Sequence, residues 1–85
     1  MQLNQVKALV TGGVSGLGLA VTRHIIDNGG AAVMLDVNDE AGAAAESELG
    51  AKYIPTDVTS EEVVIESVRQ AADEIGGLNV AVNCA

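Results

Sequence analysis

The feature that most constrains this chain is a glycine-rich turn, Thr11-Gly12-Gly13-Val14-Ser15-Gly16-Leu17-Gly18. It sits between an apolar run, Val6 to Val10, and an amphipathic stretch, Leu17 to Asn28. A strand, a tight glycine turn and a helix, in that order, bring backbone rather than side chains to the helix start. There the first N–H groups lack intrahelical partners, the helix dipole is positive, and glycine permits close approach. Such a turn suits a phosphate. The spacing Gly12-x-x-x-Gly16-x-Gly18 departs from the Gly-x-Gly-x-x-Gly of the common dinucleotide fingerprint. The plainer reading of clustered glycines is a flexible loop or hairpin. Two observations oppose it: the periodicity switches from strand-like to helix-like across the turn, and Asp36 stands 18 residues after Gly18. An acid at about that distance can accept from a ribose 2′-hydroxyl. A phosphate loop that uses lysine is excluded, because Leu17 and Gly18 occupy the positions of its Lys-Ser/Thr pair.

The rest of the chain alternates in the same way. Val6 to Thr11 reads as a buried strand. Leu17, Ala20, Val21, His24, Ile25 and Asn28 fall at helical spacing, and Gly29-Gly30 supplies a left-handed stop. Ala31 to Leu35 is a second apolar strand with Asp36 at its carboxyl end. Asn38 or Asp39 caps a helix running to Leu49 and stopped by Gly50. Ala51 to Ile54 is a short third strand, and Pro55 places it toward a sheet edge. In the loop after it, Thr59 as N-cap and Glu62 three residues on form a capping box, which leaves Asp57 available to another donor. Val64, Ile65, Val68, Ala71, Ala72 and Ile75 give a third amphipathic helix up to Gly76-Gly77, its acidic face solvated. Leu78 to Ala85 is the fourth strand. Strands alternating with helices over short connections predict an α/β fold, a Rossmann-type doubly wound parallel sheet with helices on both faces.

Charge and cysteine usage narrow the function. Twelve acids against Lys7, Arg23, Lys52 and Arg69 give a formal net charge of −8. Nucleic acid and anionic membrane surfaces are therefore excluded as partners, since phosphate neutralisation needs clustered cations. Cys84 is the sole cysteine, so no internal disulfide or thiol metal cluster can form, and a reducing, cytoplasmic setting is expected. The first residues carry neither a basic flank nor an apolar core of a signal peptide, and no apolar run approaches the roughly 20 residues of a membrane span. A calcium loop starting at Asp36 fails, because Ala41 and Ser47 stand where its glycine and bidentate acid belong. His24 has no ligand or catalytic partner at useful spacing and is read as packing or helix surface. Tyr53, the one aromatic residue, is read as packing on an edge strand.

Taken together, these residues resemble the short-chain dehydrogenases/reductases. Thr11-Gly12-x-x-x-Gly16-x-Gly18 is similar to that family's cofactor turn, Asp36 to its ribose acid, Asp57-Val58 to its adenine-side pair, and Asn83-Cys84-Ala85 to the start of its Asn-x-Ala-Gly motif. The resemblance implies strand order 3-2-1-4 and NAD as cofactor. Gly12 and the backbone of Ser15, Gly16, Leu17 and Gly18 would hold the pyrophosphate. Asp36 would hold the ribose, Asp57 and Val58 the adenine, and the backbone of Asn83, Cys84 and Ala85 would line the ribose side of the cleft. NAD is expected over NADP because Asp36 would repel a 2′-phosphate, and neither Ser15 nor Val37 is basic. The stretches TGGVSGLGLA, DVTSE and VAVNCA are similar to the branch of the family that oxidises 3-hydroxyacyl-CoA. A small alcohol or ketone substrate, an acyl-CoA among the options, and a homotetramer are implied with it.

The family's catalytic Ser and Tyr-x-x-x-Lys pair are not among these residues: Asp57, not lysine, stands four positions after Tyr53. The 85 residues are therefore expected to be the amino-terminal part of a single NAD-binding domain. Three classes stay open at this point: a nicotinamide-dependent oxidoreductase, a non-catalytic dinucleotide-sensing module of the same fold, and a methyltransferase. The Asp57-Val58 and Asn83-x-Ala85 matches favour the first.

Overall fold

The computed structural model describes residues 2–84. After a single 3-10 turn at Leu3–Gln5, the elements are β1 (Lys7–Thr11), α1 (Gly16–Asp27), β2 (Ala31–Asp36), α2 (Asp39–Leu49), β3 (Lys52–Pro55), α3 (Glu61–Ile75) and β4 (Val80–Asn83). The four strands form one parallel sheet in the order β3-β2-β1-β4. This is the expected Rossmann-type order, with β3 and β4 at the edges.

The central strands are apolar on both faces because helices cover both. On one face Ala8, Val10, Ala32 and Met34 pack with Val14, Ile25 of α1 and Ala45 of α2. On the other, Leu9, Val33, Leu35 and Ile54 pack with Ala71 of α3. Val10, Val33, Met34 and Leu35 are wholly buried, and each such side chain contributes roughly 1.5–3 kcal/mol relative to exposure. That core fixes the register Thr11 to Leu35 and Thr11 to Asn83. The carboxyl ends of the strands are thereby aligned along one rim.

Several local expectations are corrected. α3 is capped by Ser60, whose side chain accepts from Val63 N–H at 3.4 Å, not by Thr59. The Thr59 hydroxyl is already committed to Asp57, so the proposed capping box with Glu62 does not form. Ile65 is 52% exposed, because α3 turns Ser67 and Ala71 inward instead. Ser67 can be buried since it accepts from the Thr56 hydroxyl at 2.8 Å, and Thr56 also donates to the Ile54 carbonyl at 3.0 Å.

α1 is likewise rotated from its apolar stripe. Its buried residues are Gly18, Thr22 and Ile25, while Leu17, His24 and Asn28 are exposed. Thr22 satisfies its hydroxyl on the Gly18 carbonyl one turn back, at 2.8 Å. β4 is shorter than the predicted Leu78–Ala85 run, because Asn79 diverts its polar groups to the start of β1. Its side chain accepts from Lys7 N–H and donates to the Gln5 carbonyl, both at 2.8 Å. Asn38 is the cap of α2, accepting from Ala41 N–H at 3.0 Å. Among the described residues no helix is long and apolar enough to cross a membrane.

Candidate functional site

The rim at the carboxyl ends of the strands is stitched across its full width. Gly12 N–H donates to the Leu35 carbonyl at 2.8 Å, Thr56 N–H to the Asp36 carbonyl at 2.8 Å, and Cys84 N–H to the Thr11 carbonyl at 3.0 Å. The Thr11 hydroxyl donates to Asn83 Oδ1 at 2.7 Å. The loops after β1, β2, β3 and β4 therefore share one set of cross-links. In an open α/β sheet, ligands bind off this end of the strands.

The glycine turn leads from β1 into α1. Ser15 occupies the N-cap with extended backbone but makes no side-chain cap. The first N–H to return into the helix is that of Leu19, to the Ser15 carbonyl at 3.3 Å. Among the described residues nothing accepts from the N–H groups of Gly16, Leu17 or Gly18. Unpartnered donors at the positive end of a helix are an anion-binding arrangement. Gly16 has φ +51, and a methyl built on it would meet nothing within 4 Å. Gly18 is different: a methyl there would fall on the Gly12 carbonyl, with the backbone of Gly13 also in contact. Gly16 thus leaves open space before the helix start, whereas Gly18 lets α1 close against its own turn.

Asp36 ends β2 one residue beyond the turn's attachment at Leu35. Its Oδ1 accepts from Val37 N–H at 2.7 Å, and its carbonyl accepts from Thr56 N–H and from the Tyr53 hydroxyl, the latter at 3.0 Å. Asp57, expected to be available to another donor, already accepts from Thr59 N–H at 2.9 Å and from the Thr59 hydroxyl at 2.6 Å. Those two bonds, the side-chain one first, hold its carboxyl below the usual carboxylate range. Val58 next to it is 48% exposed and borders an open hollow of about 420 Å³, together with Thr11, Val82 and Asn83. Cys84 is a half-buried free thiol packed against the core.

Gly12, Ser15, Gly16, Leu17, Gly18, Asp36, Asp57, Val58, Asn83 and Cys84 all lie on or directly beyond this rim; Ala85 lies outside the described residues. Sequence reasoning missed two contributors. Thr56 ties the end of β3 to Asp36. Tyr53, read as packing alone, donates to Asp39 Oδ1 at 2.8 Å besides the Asp36 carbonyl. Gly42, inside the Ala-rich helix, was the available signal for Tyr53, since an interior helical glycine costs about 1 kcal/mol against alanine and calls for a packing reason.

No cation neighbours Asp36 along the chain, and all four are engaged elsewhere. Lys7 donates to the Gly76 carbonyl at 3.1 Å, and Arg23, Lys52 and Arg69 pair with Glu48, Glu74 and Glu66 at 3.0, 3.8 and 3.6 Å. Lys7 and Lys52 open their strands, at the opposite rim.

An open parallel sheet in this order, with a glycine turn after its first strand and an acid at the end of its second, defines a Rossmann-type α/β protein. The short chain dehydrogenase family model matches residues 6–85, and the chain belongs to that family. It is 42% identical over 80 residues to human 3-hydroxyacyl-CoA dehydrogenase type-2, covering 92% of this chain and 31% of that protein. Rice momilactone A synthase is 38% identical over 79 residues, which cover 89% of this chain and 29% of that protein. Among solved structures, a short chain dehydrogenase from Bacillus anthracis superposes with TM-score 0.90 at 19% identity, covering 100% of this chain and 36% of that one. The TT0495 protein from Thermus thermophilus superposes with TM-score 0.82 at 34% identity, covering 95% of this chain and 34% of that one. The chain spans about a third of the length of the curated relatives it matches.

Proposed function

We propose that these residues are the cofactor-binding portion of an NAD-dependent short-chain oxidoreductase that oxidises 3-hydroxyacyl-CoA or a similar secondary alcohol. The observation that carries the reading is the pairing of three unpartnered N–H groups at the start of α1 with Asp36 on the adjoining strand. The donor set fits a dinucleotide: N–H groups and open space for a pyrophosphate, and a carboxylate for a ribose diol. A bound nicotinamide dinucleotide supplies the hydride acceptor for an alcohol carbon. The chain's own residues bind and orient. Gly16, Leu17 and Gly18 would donate to the phosphates, Asp36 would accept from the adenosine ribose, and Asp57 and Val58 would border the adenine. Asn83, held by Thr11, would line the side nearer β4.

Similarity to 3-hydroxyacyl-CoA dehydrogenase type-2 supports the substrate class. No Tyr-x-x-x-Lys pair occurs in the 85 residues, so in this reading the acid/base step is supplied from outside them. A homo-oligomer, which rests on the family resemblance alone, and a cytoplasmic setting, which rests on the single cysteine, belong to the same proposal.

That the lysines and arginines of the described residues are all engaged away from Asp36 supports NAD over NADP. Titration with both cofactors, followed by fluorescence or calorimetry, tests this. NAD should bind at least 10-fold more tightly, and Asp36→Ala should narrow that gap. Equal or tighter NADP binding would overturn the cofactor choice, and a folded protein that binds neither would overturn the reading. Cofactor binding without turnover of any secondary alcohol by the full-length protein would favour the non-catalytic sensing module.

A further inference from the structure

Tyr53 is fixed to α2 along its whole length. Its backbone N–H donates to Glu46 Oε2 at 2.8 Å. Its ring lies over Gly42 so closely that a methyl there would sit 2.5 Å from ring carbons Cγ, Cδ2 and Cε2. The hydroxyl then reaches the junction between β2 and α2, with Asp39 Oδ1 at 2.8 Å and the Asp36 carbonyl at 3.0 Å. Only Val37 and Asn38 separate that strand end from that helix start. Burial first, then donation to Asp39 and the nearby charges of Asp39 and Asp36, push the phenol above its ordinary pKa, so the hydroxyl is a constant donor.

A phenol has one hydrogen to give, and here it spans the last residue of β2 and the first of α2. Thr56 N–H holds the same Asp36 carbonyl from the next strand. With its carbonyl held from two directions and Oδ1 on Val37 N–H, Asp36 is fixed through both its backbone and its side chain. The same hydroxyl ties the first residue of α2, Asp39, to that carbonyl.

We propose that Tyr53 is a positioning residue that orients Asp36 by tying its carbonyl to the start of α2 at Asp39, and so sets the discrimination between a free and a phosphorylated ribose 2′-hydroxyl. This rests on the reading of the rim as a dinucleotide site. Pre-organised acceptors discriminate better than loose ones, because the ligand need not order them on binding. A phosphate brought to the same place meets a fixed Asp36 carboxylate instead of one that can turn away.

Tyr53→Phe keeps the ring over Gly42 and removes only the hydroxyl. NAD and NADP dissociation constants are measured for the wild-type protein, Tyr53→Phe, Asp36→Ala and the double variant, with far-UV circular dichroism and thermal unfolding alongside. Tyr53→Phe should weaken NAD about 3- to 10-fold and NADP by less than 2-fold, narrowing the preference. On the Asp36→Ala background the same change should leave the ratio unaltered. A merely structural role would weaken both cofactors alike. Asp39→Ala, which removes the hydroxyl's helix-side acceptor, should narrow the preference in the same direction, and it decides the matter if Tyr53→Phe does not fold. A wild-type preference for NAD that both variants preserve would overturn this inference alone. A folded wild-type protein that binds neither cofactor would overturn the dinucleotide reading and this inference with it.

Discussion

Gly16 and Gly18 are two residues apart in one turn, yet the structure assigns them opposite consequences when a single methyl is added. At Gly16 the methyl meets nothing within 4 Å, so its structural cost is that of an L-residue at φ +51. That conformation costs roughly 1–2 kcal/mol, partly offset by about 0.4–1 kcal/mol from a less flexible unfolded chain. The net loss for Gly16→Ala is therefore about 1 kcal/mol, a few degrees in Tm.

At Gly18 the methyl is driven into the Gly12 carbonyl, with the Gly12 carbonyl carbon at 2.7 Å and Gly13 Cα at 3.0 Å. All three are backbone and cannot swing aside as a side chain would. Gly18→Ala should cost toward the upper end of the roughly 1–3 kcal/mol typical of overpacking. Binding should rank the other way relative to stability. If a pyrophosphate occupies the space over Gly16, Gly16→Ala should weaken NAD on the order of 100-fold, about 2.8 kcal/mol at 1.4 kcal/mol per tenfold, and Gly16→Val more.

Calorimetric titration with NAD and cofactor-free thermal unfolding of the same samples separate the two quantities. Wild-type affinity in both Gly16 variants would show that no ligand approaches there. Equal destabilisation by Gly16→Ala and Gly18→Ala would refute the packing argument.

Two further outcomes follow from the polar contacts. Ser67→Ala should cost about 0.5–1.5 kcal/mol in urea unfolding, since Thr56 keeps the Ile54 carbonyl as acceptor. Thr56→Val strands the buried Ser67 hydroxyl and should cost about 1–3 kcal/mol, and the double variant should be milder than the sum; strict additivity would contradict the coupling. The Tyr53 phenol is held neutral in the fold, whereas in the unfolded chain it ionises near its ordinary value of about 10. Its contribution is therefore complete below about pH 10 and lost as pH rises beyond that toward the raised native value. Unfolding midpoints compared between pH 8 and 11 should show a steeper alkaline fall in the wild-type protein than in Tyr53→Phe, and parallel curves would contradict the assignment.

The fold was legible in the sequence because its signals are redundant. Each apolar strand is bounded by a glycine, a cap or a proline, and alternation alone requires crossovers that build a parallel sheet. The faces of the helices were less legible. A hydropathy stripe points to the largest apolar residues, but α1 and α3 bury Gly18, Thr22 and Ser67 while Leu17 and Ile65 face out. Small residues let a helix lie close on the sheet, and a buried hydroxyl is tolerated where an acceptor or donor waits for it. Thr22 finds its acceptor within its own helix, but Ser67 finds Thr56 only through the tertiary fold. The Thr59 cap failed for a related reason: Thr59 and Ser60 both offer a hydroxyl, and Asp57 captures the first. Gly16 and Asp36 were read from spacing, whereas the Tyr53 link spans three elements and leaves only Gly42 as its trace in the sequence.

The four cations have a consequence for how fast a ligand arrives. Each is spent on a carbonyl or a carboxylate of this chain, and the formal net charge of −8 stays uncompensated. If the rim takes an anionic dinucleotide, as proposed, that ligand would be attracted at short range by N–H groups and the helix end, after crossing the repelling field of these residues. Dissolved salt shortens the reach of that field, from about 30 Å at 0.01 M to about 8 Å at 0.15 M. Arrival would accelerate as salt is added, the reverse of a complex drawn together by opposite charge.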